Sequence, residues 1–392
     1  MQTWSSRFRH RATPPAYRAP CHDSLLLARS LGIRLSPIIL PDARIEDNIS
    51  MKMDSNDIIH LVFTGRQGTD DMALIHMTVN TATDVYTSTV VDDSGYIGGS
   101  HAIELQIDSN DYPHLVHHWA SGWPDYLDSS DYWYKDGTGW HKEVISAAVL
   151  DHHATEWNQA FCLDSNNAPH VFVNDNATEY IKHYYKSGTW TSENVNTDSM
   201  SYGYRNFFAA CAIGTDLYLK TSGDGKYYGQ LHQNTGSGWS SASIGGTGYN
   251  DYDYGEMGGL FADSSDDLYT MGIISTSGYH AWINLWDNKL GSWRKTEVVH
   301  FYDGSDEFDI EPYAFDVTAA GVLGCIYSQY NGTKGVYYFS GAVPSFSTPA
   351  LIPGVNDDYN NLGFAFDSNG DPWGCYLDPD EGLIILSPTD FP

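Results

Sequence analysis

One short turn recurs seven times along the 392-residue chain at nearly even spacing. It begins at Asp54, Asp108, Asp164, Gly214, Asp263, Asp316 and Asp367, so that successive turns are 54, 56, 50, 49, 53 and 51 residues apart. Asp, Asn, Ser and Gly favour such turns because their side chains bond nearby backbone groups or tolerate positive φ. The flanking runs are short and rich in β-branched and aromatic residues, which indicates strands. An even period of about 50 residues is typical of the blades of a β-propeller.

Residues 101–146 illustrate one unit, with strands predicted at 102–107, 114–119, 132–135 and 143–145. A second signature lies late in several units: YKDGTGW (134–140), YKSGTW (185–190), GSGW (236–239) and LGSW (290–293). We therefore predict an all-β fold, a seven-bladed β-propeller of four-stranded antiparallel blades. The blades are placed near residues 45–91, 98–146, 154–196, 203–245, 256–299, 309–352 and 360–392. A β-sandwich or several small β domains is the alternative, but neither produces seven even repeats.

The first 44 residues differ in charge from the rest of the chain. They carry a net charge of +5, whereas the remaining 348 residues carry −35. We predict an extended basic arm at 1–44 ahead of the propeller at 45–392, with residues 1–34 docking on a protein partner or another copy. The alternative is a flexible tail or a start codon assigned too far upstream. Only 25 residues follow Asp367, so residues near 35–40 are expected to supply the outer strand of the last blade and close the ring.

Several classes of protein are disfavoured by composition. The five cysteines lack paired spacing, which argues against a disulfide framework or a zinc site, and four of them are expected to pack in inner strands. The sequence has no run of about 18 apolar residues, so no membrane span is predicted. The chain has no glycine-rich phosphate loop and no basic face for nucleic acid. We therefore expect no cofactor, no bound metal and no nucleic acid. Calcium at the acidic stretches 251–253 or 303–311 is the open alternative, although neither has the spacing of a known calcium loop.

The repeated turns have a structural cause, so we assign them, and the histidines at 60, 114 and 170 that follow them, to packing. The loops between blades do not repeat, and function usually lies on variable loops held by a rigid scaffold. These loops share one face of the propeller, and His117 or His118 should approach the same face. The candidate catalytic residues are His118, His153, Tyr204 and Arg205. The candidate substrate-binding residues are His101, His117, Trp123, Trp157, Tyr202, Tyr252, Tyr254 and Tyr302.

His, Tyr and Arg together suit β-elimination of a uronic acid polymer. Arg pairs with a carboxylate through two parallel hydrogen bonds, His can remove the C5 proton, and Tyr can protonate the leaving oxygen. A hydrolase would instead need two opposed carboxyl groups, and no such pair stands out. The strongly acidic body would repel a polyanion unless the site is locally positive.

The sequence resembles propeller families that act on carbohydrates. Residues 134–140 and 185–190 resemble worn forms of the Asp-box of the sialidase-like BNR repeat, and the DSNxxPHLV units resemble blades of the ulvan lyase type of polysaccharide lyase. The resemblance covers about residues 46–392 and implies a seven-bladed propeller that uses His, Tyr and Arg on the loop face. It implies His118 or His153 as base or acid, Tyr204 or Tyr202 as its partner, and Arg205 as the group that neutralises the substrate carboxylate.

A second hypothesis is a non-catalytic glycan-binding or structural surface protein, such as an adhesin or a virion or appendage component. Tyr and Trp stack on sugar rings, and the basic arm would serve assembly. Both hypotheses predict a polysaccharide or cell-surface glycan as ligand and an extracellular or surface-exposed location.

Overall fold

The computed structural model describes residues 38–40, 44–66, 72–93, 103–119, 129–146, 159–175, 180–195, 207–223, 226–244, 259–276, 280–302, 310–329, 333–355, 361–378 and 382–392. In these ranges the chain forms seven antiparallel sheets, and neighbouring strands in each sheet are hydrogen-bonded to each other. The predicted seven-bladed β-propeller is confirmed. We number the blades 1 to 7 and call the strands of each blade inner, second, third and outer.

The first five blades each have four strands, which follow one another from inner to outer. Those of blades 1 and 2 are Arg44–Met53, Ile58–Arg66, Met72–Asn80 and Val85–Asp92, then Ile103–Ile107, Pro113–Trp119, Ser129–Asp136 and Gly139–Ser146. Those of blades 3 and 4 are Gln159–Leu163, Pro169–Asp175, Tyr180–Ser187 and Thr189–Asn194, then Phe207–Ile213, Asp216–Gly223, Lys226–Asn234 and Trp239–Ser243. Those of blade 5 are Leu260–Ala262, Leu268–Thr276, His280–Asp287 and Arg294–Tyr302.

Blades 6 and 7 depart slightly from the pattern. Blade 6 has Ile310–Val317, Leu323–Gln329 and Gly335–Ala342, and two short segments, Ser345–Phe346 and Ala350–Leu351, share its outer edge. Blade 7 has Leu362–Phe366, Pro372–Asp378 and Gly382–Leu386, followed by the 3-10 turn Pro388–Asp390. Its outer strand is Ile38–Leu40, which pairs antiparallel with the third strand, so that Ile39 lies opposite Ile384.

The inner strands form a closed ring. Each inner strand contacts the inner strand of the next blade, and that of blade 7 contacts that of blade 1. The core lies between blades, where the apolar faces of neighbouring sheets pack together; one such cluster joins Val116 and Tyr132 of blade 2 to Phe161 and Val171 of blade 3. Antiparallel connection puts the turns after the inner strands at one end of the ring, the turn end. The inner strands begin and the second strands end at the other end of the ring, the loop end.

The turns of all blades except blade 4 share one backbone conformation, whereas in blade 4 Gly214 and Thr215 form a two-residue turn. In the turn of blade 1 the amide of Asp54 donates to the carbonyl of Ile58, and the fourth residue, Asp57, has φ of 58°. Asp and Asn tolerate this left-handed region better than most residues. In blade 6 the equivalent turn begins at Thr318 and ends with Gly321 at φ of 75°. The sequence-based start at Asp316 was therefore wrong by two residues, because the threonine replaces the aspartate that marks the turn elsewhere.

The signature tryptophans wedge each blade against the preceding one. Trp190 of blade 3 meets the ring of Tyr132 of blade 2 edge-on at 5.3 Å and donates from Nε1 to Glu143 at 3.0 Å. Trp239 of blade 4 donates in the same way to Glu193 of blade 3 at 2.8 Å. The repeated Gly-x-Trp pieces thus have a structural role between blades.

Two of the cysteine placements need correction. Cys162 and Cys211 lie on inner strands as predicted, but Cys325 and Cys375 lie on second strands. All four are free thiols. Burial raises the pKa of the Cys375 thiol to about 12, so this thiol is a packing group. Among the described residues, no helix has the length and apolar character needed to cross a membrane.

Candidate functional site

The turn end carries a repeated polar contact. The ring nitrogen Nε2 of His60 lies 3.3 Å from the carboxylate of Asp54, the first residue of its turn, and His114 and His170 repeat the contact with Asp108 and Asp164 at 3.5 and 3.7 Å. The predicted packing role of these three histidines is confirmed. In blades 5 and 7 the same position, six residues after the first turn residue, holds Tyr269 and Trp373, which donate to Asp263 and Asp367 at 2.8 and 3.3 Å.

The histidine contacts continue across the sheet. Nδ1 of His60 lies 3.1 Å from Nε2 of His76, and Nδ1 of His170 lies 2.9 Å from Nε2 of His183. His183 in turn contacts Glu193 at 3.1 Å. Burial lowers the pKa of His76 to about 3, with a smaller effect from the charge of His60, and burial lowers the pKa of His183 to about 4 against the opposing effect of Glu193. These histidines are neutral at physiological pH and stabilise the fold.

The inner strands carry polar side chains that bind the backbone of a neighbouring blade. Ser50 of blade 1 accepts from the inner-edge amide of Leu105 at 3.0 Å, and Glu104 of blade 2 accepts from that of Phe161 at 2.9 Å. Asp316 of blade 6 accepts from the amide of Phe366 at 3.0 Å. A free strand edge leaves backbone groups unpaired, and these side chains satisfy them.

One lysine side chain reaches across the ring near the turn end. Nζ of Lys52, on blade 1, lies 4.8 Å from the ring centre of Phe261, on blade 5. Blades 1 and 5 are not neighbours, so this contact spans the ring at the turn end.

Most of the sequence-predicted site residues lie outside the described residues. These are His101, Trp123, His153, Trp157, Tyr202, Tyr204, Arg205, Tyr252 and Tyr254. His118 and Tyr302 are backbone positions in the second strand of blade 2 and the outer strand of blade 5, and their side chains lie outside the described set. The predicted convergence of His118, Tyr204 and Arg205 stays a prediction.

His117 is the described member of the set. It is 3% exposed and lies between Ile103 on the inner strand and Asp131 on the third strand. The equivalent position in blades 1, 3 and 7 holds the apolar or aromatic residues Phe63, Val173 and Tyr376. His117 thus introduces a polar ring into the layer of the core nearest the loop end.

Two further polar side chains lie in the same layer, and neither was predicted from the sequence. Thr64 of blade 1 is fully buried, and its Oγ1 has no hydrogen-bond partner among the described residues. Gln159 of blade 3 is 4% exposed, and neither its amide nitrogen nor its amide oxygen has a partner in that part of the chain. The layer of blades 1 to 3 nearest the loop end therefore carries Thr64, His117 and Gln159, which we call the polar layer.

Charge near the polar layer is already balanced. Nζ of Lys142 lies 2.8 Å from Asp131 and 3.3 Å from Asp92, and 4.9 Å from the ring centre of Trp133. Burial opposes the charge of Lys142, but the hydrogen bond and charge of Asp131, with those of Asp92, outweigh it and raise its pKa. Because two carboxylates already hold this ammonium group, it is poorly placed to neutralise a substrate carboxylate.

The polar layer supplies hydrogen-bond donors and acceptors. Within the parts of the chain that the structure describes, no group of three or more His, Cys, Asp or Glu side chains is arranged to hold a metal ion. A hydroxyl, an imidazole and an amide in one layer can donate to and accept from the hydroxyl groups of a ligand. By strand alternation Thr64 and His117 belong to the interface between blades 1 and 2, and Gln159 to the one between blades 2 and 3. A few polar groups in an otherwise apolar setting are typical of small-molecule and sugar sites.

Comparison with known proteins places the fold beside two polysaccharide lyases. No family model and no curated protein matches the sequence. A PL25 ulvan lyase solved with bound -[GlcA(1-4)Rha3S]- superposes with a TM-score of 0.59 at 11% identity, covering 90% of this chain and 99% of that one. The polysaccharide lyase Uly1 gives 0.55 at 10% identity, covering 87% and 90%. At this identity the likeness establishes the seven-bladed fold.

Proposed function

We propose that this propeller is a polysaccharide lyase that cleaves a uronic acid-containing glycan by β-elimination at the loop end of blades 1 to 3. The observation that carries the proposal is the polar layer. Thr64 and Gln159 leave buried polar groups unpaired among the described residues, which is costly in a core. Departures from a repeat that cost stability are expected where a protein binds or reacts.

The proposed chemistry assigns one task to each candidate residue. Arg205 neutralises the carboxylate of the uronic acid, which makes the C5 proton more acidic. His118 or His153 removes that proton, and Tyr204 or Tyr202 protonates the glycosidic oxygen as it leaves. The bond between C4 and its oxygen breaks as a C4–C5 double bond forms, so no water is consumed. The two solved polysaccharide lyases, one of them a PL25 ulvan lyase, have the same fold over 90% and 99% of their length, which supports this choice among carbohydrate reactions.

A polysaccharide is degraded outside the cell, so an extracellular or surface-exposed location is part of the proposal. Detection of the protein in the culture medium or at the cell surface of its source would support this part.

The reaction class is tested by the products from a panel of uronic acid polysaccharides that includes ulvan. A lyase yields fragments that contain an unsaturated uronic acid, and their masses add up to the mass of the polymer. A hydrolase yields saturated fragments that have gained one water for each bond cleaved. A protein that binds the polymer but leaves its mass unchanged is a glycan-binding module, and that outcome contradicts the proposed reaction.

A further inference from the structure

We propose that Gln159 is a ligand-contacting residue that binds hydroxyl groups of the glycan at the loop end, between blades 2 and 3. The inference deepens the proposed function and rests on it for the class of ligand. It stands on the comparison of Gln159 with the equivalent residues of other blades.

Gln159 occupies a position that holds a large aliphatic residue in blades 1, 2 and 7 and Tyr313 in blade 6. It precedes the first turn residue, Asp164, by five positions and lies opposite Val173 on the second strand. The residues at this position in blades 1, 2 and 7 are Ile49, Ile103 and Leu362, which lie opposite Phe63, His117 and Tyr376 in the same register. All three aliphatic side chains are buried, with exposures of 9%, 5% and 6%.

The surroundings of Gln159 do not account for an amide. Its strand neighbour Phe161, two residues further on, packs with Val116, Tyr132 and Ile145 of blade 2. Alternation along a strand puts position 159 on the same side as position 161, so Gln159 begins the same interface at its loop end. An isoleucine or leucine would continue this apolar cluster, as it does in blades 1, 2 and 7.

An amide in this position carries a cost that binding can offset. A buried amide with unmet donors and acceptors loses its hydrogen bonds to water without replacement. The Gln side chain offers two donors and one acceptor oxygen, which matches the adjacent hydroxyl groups of a pyranose ring. Gln159 is also the first residue of its strand and follows the candidate residue Trp157 by two positions in the sequence. The ligand is thus expected to supply the hydrogen-bond partners that the described residues do not provide.

The repeat supplies the test variant. Gln159→Leu restores the residue type found in blade 7, so it should keep the fold and raise the midpoint of thermal unfolding by about 1–3 °C. It should raise KM for the cleaved glycan roughly tenfold, with a change in kcat of less than about threefold. Gln233→Leu, at an exposed position on the third strand of blade 4, is the matched control and should leave KM unchanged.

The outcomes separate this inference from the proposed function. Cleavage by Gln159→Leu with an unchanged KM would overturn the role of Gln159 and leave the lyase standing, as would a marked loss of thermal stability, which would make the amide structural. If the wild-type protein cleaves nothing, the same variants are compared for binding to the polysaccharide panel by calorimetry. Weaker binding by Gln159→Leu alone then supports the inference without the reaction, and equal binding, or no binding by any form, overturns it.

Discussion

Ser368, in the turn of blade 7, donates two hydrogen bonds to Asp57, in the turn of blade 1, from its amide at 2.7 Å and from its hydroxyl at 2.8 Å. The same relationship joins Ser55 to Asp111 at 3.0 and 2.8 Å. The second residue of one turn thus binds the fourth residue of the next. The bond between Ser368 and Asp57 connects residues 311 positions apart in sequence, where the ring closes.

We predict that Ser368→Ala lowers the free energy of unfolding by about 1–2 kcal/mol, because a hydroxyl bond to a carboxylate is lost at the closure of the ring. Urea titration followed by tryptophan fluorescence measures this. Ser240→Ala, at an exposed position on the outer strand of blade 4, should be neutral. Equal stability of the two variants would show that the link adds nothing.

The closing strand gives a second prediction. A chain that begins at residue 37 retains Ile38–Leu40, whereas one that begins at residue 44 leaves the third strand of blade 7 without its outer partner. The shorter chain should unfold at a lower temperature and associate, since an unpaired strand edge is a template for aggregation. Thermal unfolding and light scattering on the two truncations measure the difference, and identical behaviour would contradict it.

Acid sensitivity follows from the buried histidines. Burial lowers the pKa of His232 from 6.5 to about 4. The unfolded chain therefore takes up a proton between these values that the folded protein does not, so stability is full above pH 6.5 and falls as the pH drops. His232→Gln should reduce the loss in unfolding free energy between pH 7.5 and pH 5 by about 2 kcal/mol. An unchanged loss, measured by urea titration at both pH values, would show that His232 does not titrate this way.

The carboxyl group of Glu104 should give the opposite pH dependence. Burial raises its pKa to about 8, despite the opposing hydrogen bond from Phe161 and the charge of Lys52. The unfolded chain loses this proton near pH 4.5, so the contribution of Glu104 falls as pH rises from there to 8, with a slope approaching about 1.4 kcal/mol per pH unit. Glu104→Gln should remove this part of the pH dependence. A variant whose stability still falls in parallel with wild type between pH 6 and pH 8 would contradict the assignment.

The seven-bladed ring could be predicted from the sequence because most of the turns have a recognisable local sequence. Asp54 and its equivalents bond their own turn backbone, and this requirement leaves a fixed pattern of residues. The sequence placed the turn at Thr318 two residues too early, because a threonine replaces the aspartate that begins most of the other turns. The bond from Ser368 to Asp57 could not be predicted, since it depends on how neighbouring blades are aligned.

The candidate site was harder to predict for a different physical reason. His117 could be named as a candidate because it is a histidine near a strand end. Gln159 belongs to no motif, and glutamine by itself does not indicate a site. Its importance lies in the contrast with Ile103 and Leu362, which becomes visible only when the strand register aligns the three positions. An alignment of the seven units by their turns would have provided that signal.

The most direct test of the proposed function is absorbance during mixing with ulvan and other uronic acid polysaccharides, because removal of the C5 proton by a general base leaves an unsaturated product that absorbs at about 235 nm. We predict a steady rise with the wild-type protein, lost in Arg205→Ala and His118→Ala and retained in Ser240→Ala. A flat trace across the panel, with glycan binding still present, would contradict β-elimination and identify the propeller as a glycan-binding protein.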